Sequence, residues 1–448
     1  MESTDRQKFK VAVLGGGISG AAIFYTLAKY TDIGSVCLAE KCEQLGQINS
    51  HGNNNSQTLH FGDIETNYSL EKAKVTKAAS EMVVAYLESL GNKGKGIYEV
   101  SQKMALAVGE KEVAALSERH ERFKELFPDS QMIGREKIAE LEPEIVRGRK
   151  EDEPLAACYT AKGYTVDFGK LAESLAAEGR AASKDAEILL GTEVKKISRH
   201  GQSYIITTDK GTIEAETVVV AMCSHSLMFA KALGYGREFG ILPVGGNFYT
   251  SSRQVLRGKV YTMQSGKLPF AAVHGDPNIG DITHTRFGPT ANIMPFLERN
   301  NLKTFSEFLK SSTDSMSAVL ALAKVVLEPT LFGFLFRSLV YELPYFGPRA
   351  FAKLAKKIIP SVTYADFKRG KTKAGIRPQL IDIKNKKLMM GEIEIVGKNI
   401  IFNVTPSPGA TACLKNAAKN VEQVVKFFED KHHFDRPGFE KALSLTKA

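Results

Sequence analysis

The sequence predicts an α/β protein. A Rossmann-like domain, assembled from discontinuous pieces, lies beside an α+β domain built on a mostly antiparallel sheet. Three observations carry this. A short apolar strand at 10–14 runs into a glycine-rich turn and then a helical pattern from about Ile18. In mid-chain, "EVKKISRHGQSYIITTDKGTIEAETVVVA" alternates as strands and returns through "DKG" to a second apolar strand. The 448 residues also exceed what one compact core usually holds.

The glycine turn comes first in the chain. In "KVAVLGGGISGAAIFYTLAKY", Gly15, Gly17 and Gly20 stand at G-x-G-x-x-G spacing, with Ile18 and Ser19 opening the helix. That spacing serves a tight turn, close backbone approach to a pyrophosphate, and close packing of helix on strand. The unpaired N–H groups of the helix start then face the phosphates. A second strand, "SVCLAE", ends at Glu40, about 20 residues beyond Gly20, where an acid accepts hydrogen bonds from ribose hydroxyls. No second turn of this quality follows, so one dinucleotide is expected. Val194 opens the mid-chain meander and is a further candidate cofactor contact. A meander returning to a buried parallel strand is a habit of flavoproteins with an interrupted binding domain, which favours FAD over NAD.

The pieces expected for the FAD-binding domain are 8–75, 160–235 and 370–430, with "GYTVDFGKLAESLAAEGRAA" as the helical entry to the second. The substrate domain is then 76–159 plus 236–369, its sheet including "ILPVGGNFYTS" and "GKVYTM". A formal charge of +10 suits an anionic membrane surface or anionic small substrates, and no nucleic-acid partner is expected. Cys37, Cys42, Cys158, Cys223 and Cys413 form no C-x-x-C pair, so neither a zinc site nor a disulfide framework is suggested, and a reducing cytoplasm fits. The start, "MESTDRQKFKVAV", is too polar for a signal peptide, and no apolar stretch has the length of a spanning helix.

Four further stretches carry chemistry. "NNNSQTLHFG" is polar, small and turn-rich, hence a loop. "TPSPGATACLKNAAKNVEQVVKFF" leaves a strand through prolines and enters a helix at Gly409 and Ala410, flanked by Pro408 and Thr411. Small residues there admit a flat ring, and the helix's positive end stabilises negative charge on a reduced flavin. "PFAAVHGDPNIGDITHTRFGPTA" reads as two strands joined by the turn-rich "HGDPNIGD". His274 ends the first strand, while His284 and Arg286 share a face of the second. In "GIRPQL", Gly375 permits close backbone approach and Pro378 fixes φ, so Arg377 is expected to be held in place, as suits a planar carboxylate.

"VAVLGGGISG", "NNNSQTLHFGDIETNY", "AGIRPQL" and "NVTPSPGATACLKNAA", in this order across nearly the whole chain, resemble the FAD-dependent oxidoreductases of the D-amino-acid oxidase and glycine oxidase superfamily. Within it the resemblance is to malate:quinone oxidoreductases, with L-2-hydroxyglutarate dehydrogenases as near relatives. One departure is that Ala221-Met222-Cys223-Ser224 stands where the superfamily often ends its "VVVA" strand with glycine. The resemblance implies that Asn55, Ser56 and Thr58 bond the flavin ring or its ribityl chain, and that His60 lies near the substrate face. It places His274 in the active site and Arg377 on a substrate carboxylate. Malate has two carboxylates, and Arg286 is the candidate for the second. Oxidising a 2-hydroxy acid also needs a base for the hydroxyl proton, and His274 is the expected base, with His60 as the alternative.

The segment 302–360 is strongly apolar yet interrupted by Lys324, Glu328, Pro329 and Arg337, so it is expected to be helical without spanning a bilayer. It either packs on the substrate sheet or lies on anionic lipid, with Arg349, Lys353, Lys356 and Lys357 in "RAFAKLAKKIIP" facing the headgroups. The expected protein is a cytoplasmic flavoenzyme on the inner face of the cell membrane, oxidising (S)-malate and reducing quinone. The alternatives are L-2-hydroxyglutarate oxidation and a non-catalytic, membrane-associated flavin-binding scaffold.

Overall fold

In a computed structural model, the described residues are 6–264, 272–279, 281–373, 375–389, 391–406, 409–429 and 431–445. Apolar residues at Val11–Leu14 are wholly buried, and this strand centres the first sheet. Along that sheet the order is Ile393–Gly397, Ile400–Val404, Gly211–Val220, Arg6–Leu14, Val36–Ala39 and Ala186–Leu189. All neighbours from Ile400–Val404 onward run parallel, with Val13 opposite both Leu38 and Val219. The meander Val194–His200 and Ser203–Thr208 feeds the Gly211–Val220 strand, pairing Ile206 with Ile213. Helices Ile18–Tyr30, Phe168–Ala182 and Cys413–Phe427 cover one face through a shared apolar core.

The second sheet has eight strands and is antiparallel throughout, except where Lys259–Thr262 runs beside Tyr98–Val108. A third, four-stranded sheet pairs Phe239–Gly245 with Arg377–Asp382. "ILPVGGNFYTS" is therefore divided: its first half lies in the small sheet and Asn247–Ser251 in the large one. The strand carrying Arg377 also belongs to the small sheet rather than to the dinucleotide sheet, whose C-terminal share begins at Ile393.

Two expectations need correction. "HGDPN" is not a turn but the strand His274–Asn278, because Pro277 is accommodated next to a bulge at the hairpin's end. The expected strand before it falls partly at 269–271, outside the described residues. The second correction concerns "RAFAKLAKKIIP". Its apolar side chains Phe351, Ala352, Ala355, Ile358 and Ile359 are buried in the core under the large sheet, not presented to lipid. Lys357 pairs with Glu112 at 2.6 Å and Arg349 lies over the Tyr345 and Tyr364 rings, leaving Lys353 and Lys356 exposed.

The unsheltered apolar surface lies just before this segment. Helices Thr304–Ser312, Met316–Val326 and Pro329–Glu342 seat Ala318, Ala321, Leu331 and Leu335 on the small sheet. Their other side is open: thirteen of the eighteen exposed large hydrophobic residues among those described fall between Leu302 and Phe346. No single described helix is long and apolar enough to cross a membrane, although Met316–Val326 and Pro329–Glu342 pass that test as a pair bent by 74°.

Candidate active site

The loop leaving the Val36–Ala39 strand runs between the glycine turn and the large sheet. Ser50 Oγ accepts from the Ile18 N–H at 3.0 Å. Asn55 spends its side chain on its own loop, donating to the carbonyls of Asn49, Ser50 and His51 and accepting from the Gln57 N–H. Further along, the Thr58 hydroxyl meets the Tyr261 hydroxyl at 2.9 Å. The His60 N–H donates to Thr411 Oγ1 at 3.1 Å, tying the entry of the C-terminal helix to this loop.

The facing sheet carries charge on its inner side. Cross-strand register puts Lys103 opposite Lys259, Tyr261 opposite His274, and Asp276 opposite Arg286. Residues two apart on a strand share a face, so Lys259 and Tyr261 point the same way, as do His274 and Asp276. Lys259 Nζ lies 3.5 Å from Asp276 Oδ1 and 3.3 Å from the Ser56 carbonyl oxygen. His274 Nδ1 is 2.8 Å from Asp276 Oδ2, and its ring stacks on Tyr261 at 4.4 Å. Arg286 sits over the Phe248 ring with Nη1 3.4 Å from the Gly52 carbonyl oxygen. Lys103 pairs with Asp63 at 2.8 Å.

These groups are almost sealed: Lys103 and Lys259 are 1% exposed, Arg286 2% and Asp276 0%. Burial pulls the Lys259 ammonium down to about 8, against the opposing pull of Asp276. Burial also works to raise Asp276, but His274, Lys259 and Arg286 together hold its carboxyl down to about 2. His274 is pulled below its ordinary value by burial, despite Asp276. Burial, then Asp276, pushes the Tyr261 phenol well above its usual range.

Three buried cations, Lys103, Lys259 and Arg286, thus share this layer with three buried carboxylates, Asp63, Glu65 and Asp276. Arg286 Nε and Nη2 have no hydrogen-bond partner among the described residues. Each such donor costs about 1–3 kcal/mol, and more when charged. Arg377 is partly buried, its guanidinium pulled down by burial with Tyr261 opposing, and Tyr261 is likewise a neighbour of Arg286. A planar carboxylate supplies what the Arg286 fork lacks.

A second histidine also meets a carboxylate. His60 Nδ1 is 2.6 Å from Glu65 Oε1, and its side chain stays 16% exposed, 6.4 Å edge-on to the Tyr261 ring. Burial works to raise Glu65, yet His60 and then Lys103 hold it below its ordinary value. His284, which shares a strand face with Arg286, lies instead at the hairpin tip, 3.1 Å from Asp281.

The sequence model of one protein family, described as FAD dependent oxidoreductase (DAO), matches residues 10–413. The chain is 40% identical over 443 residues to the probable malate:quinone oxidoreductase of Campylobacter jejuni, covering 95% of this chain and 98% of that one. It is 39% identical over 446 residues to the malate:quinone oxidoreductase of Helicobacter pylori, covering 98% of each. The chain belongs to the malate:quinone oxidoreductase family of FAD-dependent oxidoreductases. Among solved structures, the fold matches glycine oxidase from Geobacillus kaustophilus, with TM-score 0.64, 19% identity and 99% of each chain covered. L-alpha-glycerophosphate oxidase from Mycoplasma pneumoniae matches with TM-score 0.64 and 17% identity, over 96% of this chain and 97% of that one.

FAD is the cofactor of this family, and the glycine turn fits it. Gly15 has φ +105°, and a Cβ there would lie 2.6 Å from the Ala221 carbonyl oxygen, so the turn packs tightly beneath. Above it, a Cβ on Gly17 would meet only Ser50 Oγ, which takes the Ile18 N–H, and the N-cap Gly17 itself has no side chain to cover the next N–H groups of the Ile18–Tyr30 helix. That leaves N–H groups facing the place a pyrophosphate takes. Beside the turn, Glu40 accepts from the Gly16 and Cys42 N–H groups at 2.6 and 2.9 Å, with Val194 two residues beyond the Thr192 N–H that donates to the Glu40 carbonyl oxygen. Cys223, just beyond the Gly211–Val220 strand, has φ +52°, a conformation that a glycine takes without strain. Thr411 is buried and Ala410 half-buried at the helix entry, while Pro408 lies outside the described residues.

Sequence reasoning missed Lys259, Tyr261, Asp276 and Glu65. Asp276 is two residues from His274 and Glu65 five from His60, while Tyr261 is the cross-strand partner of His274 and Lys259 lies two residues before Tyr261. The parity used for Arg286 would have found Asp276 beside His274.

Proposed function

We propose that this chain oxidises (S)-malate to oxaloacetate and delivers the electrons to a membrane quinone. The observation that carries the reading is the buried charged cluster around an under-bonded Arg286, in a chain resembling malate:quinone oxidoreductases over nearly its full length. Arg286 and Arg377 take the two carboxylates as bidentate partners and fix C2 of malate in place. Lys259 adds charge behind them without competing for the substrate, since Asp276 and the Ser56 carbonyl already engage it.

The hydroxyl proton passes to His60. Glu65 fixes the tautomer with the proton on Nδ1, leaves Nε2 as acceptor, and stabilises the imidazolium that forms. When bound, FAD supplies the two-electron acceptor for malate C2 and the relay to quinone. His274 is the second reading for the base, because its Nδ1 also faces a carboxylate, but stacking on Tyr261 and deep burial suit it better to shaping the pocket.

The open apolar side of residues 302–346, with Lys353 and Lys356 beside it, is the proposed seat on the inner face of the cell membrane, where a lipid-soluble acceptor is met. Mixing the purified flavoprotein anaerobically with malate tests the reading: rapid bleaching of the flavin is expected. Bleaching by L-2-hydroxyglutarate alone would move the substrate by one methylene, and bleaching by neither would leave a non-catalytic flavin-binding scaffold.

A further inference from the structure

We propose that Asn49 is the positioning residue that aims Arg377 at the substrate carboxylate, an inference that rests on the carboxylate role proposed for Arg377. Asn49 Oδ1 accepts from the Ile376 N–H at 3.1 Å, and its Nδ2 donates to the Ile376 carbonyl oxygen at 3.0 Å. One amide thereby satisfies both polar groups of the residue just before Arg377, as a neighbouring strand would. The backbone entering the arginine is then fixed rather than free to rotate.

The neighbouring contacts are built for this. A Cβ at Gly375 would fall 2.3 Å from Asn49 Oδ1, so glycine alone lets the amide come this close. The Gly375 N–H donates to the Asn54 carbonyl oxygen at 2.6 Å, a second tie to the same loop. Asn49 Nδ2 also lies 3.1 Å from Cys223 Sγ, and the next residue, Ser50, bonds the Ile18 N–H at the cofactor turn. The loop therefore joins the cofactor turn to the arginine through adjacent residues, and Asn49 is the one that reaches it.

The test compares Asn49→Ala and Gly375→Ala holoenzymes, each alone and combined with Arg377→Lys. Malate KM and kcat are read with a soluble dye acceptor, and malonate affinity is read from perturbation of the flavin spectrum. Losing two backbone ties should raise KM and weaken malonate binding in parallel, each by about tenfold, with kcat within about threefold and FAD content unchanged. In the Arg377→Lys background either change should add less than about twofold, because the group being aimed has already lost its fork. Losses that multiply with Arg377→Lys would overturn the proposal, as would a fall in kcat at unchanged KM and malonate affinity. If Asn49→Ala does not fold, Gly375→Ala and its combination decide by the same criteria. Malonate binding needs no turnover. Failure of malate to reduce the flavin would therefore count against the proposed function, and malonate affinity would still decide whether Asn49 aims the arginine.

Discussion

The inner face of the large sheet and the outer side of the 302–346 helices break the same rule in opposite directions. On the sheet, Lys103, Lys259, Asp276 and Arg286 are taken out of water, at a cost that pairing only partly offsets. On the helices, Leu302, Met316, Leu327, Phe336 and Phe346 are each at least 60% exposed, leaving apolar surface in water that folding alone gives no reason to leave there. Folding stability accounts for neither. Each becomes intelligible when something else completes it: an anionic substrate in the first case, a lipid phase in the second. The two regions also differ in how they are held, since the charged face is locked by sheet register whereas the helices have a fixed side and an open one.

The sharpest way to break this comparison is at the charged face. His60→Gln should slow flavin reduction by malate by about 10²–10⁴-fold while FAD stays bound, and stopped-flow absorbance reads it directly. His274→Gln should cost less than that. If the larger loss falls on His274, the proton acceptor is the stacked histidine and Glu65 supports the fold. Arg377→Lys should lower kcat/KM by roughly 10²-fold, because a point charge cannot replace a planar fork. Steady-state kinetics within a few-fold of wild type would return Arg377 to a structural role.

How much of this was legible follows from which signals are local. The turn at Gly15, Gly17 and Gly20, the acid at Glu40 and the held arginine in "GIRPQL" are short-range patterns, and the sequence exposes them. The glycine of that last stretch even announced a close approach, though not that Asn49, far earlier in the chain, makes it. Asp276 was hidden because "HGDPN" reads as a turn, and Lys259 for another physical reason. A charged residue alternating with apolar ones in a strand reads as the solvent side, and only tertiary pairing turned that side inward. Likewise, "RAFAKLAKKIIP" has the amphipathic pattern of a lipid-surface helix, but a protein core satisfies the same pattern, and here the core took it.

A smaller effect sharpens the contrast through pH. Lys259 faces Asp276, Arg286 and Lys103, and carries its charge fully only below about 8. Malonate affinity should therefore be greatest below that pH and weaken as pH rises through about 8, by several-fold. A spectral titration flat between about pH 7 and 9 would remove Lys259 from anion binding. The linkage to stability has the opposite sign. A lysine lowered from 10.5 to about 8 penalises the folded state at neutral pH, and that penalty fades as pH rises through the interval.

At the helices the smallest change expected is in folding stability. Phe332→Ser, Phe336→Ser and Leu339→Ser together remove side chains that are already exposed, so thermal stability should hardly move. Liposome pelleting and turnover with a long-tailed quinone should fall by about tenfold or more, since each such group contributes on the order of 1.5–3 kcal/mol when it enters an apolar phase. Activity with the dye should be spared. Equal loss with both acceptors would mean that this surface supports the active site rather than a membrane.

The last of those helices ends in a fastening. Glu342 accepts from Thr290 Oγ1 at 2.8 Å, from Asn292 Nδ2 at 2.9 Å and from Asn247 Nδ2, at the corner where the small sheet passes into the large one. Anyone trimming the greasy arm to obtain a water-soluble enzyme would be wise to polish its outer side chains and keep this carboxylate. Cutting it away would strand three buried polar groups next to the strands that carry Arg286 and Arg377, and the cleaner protein would come out of the freezer unable to hold its substrate.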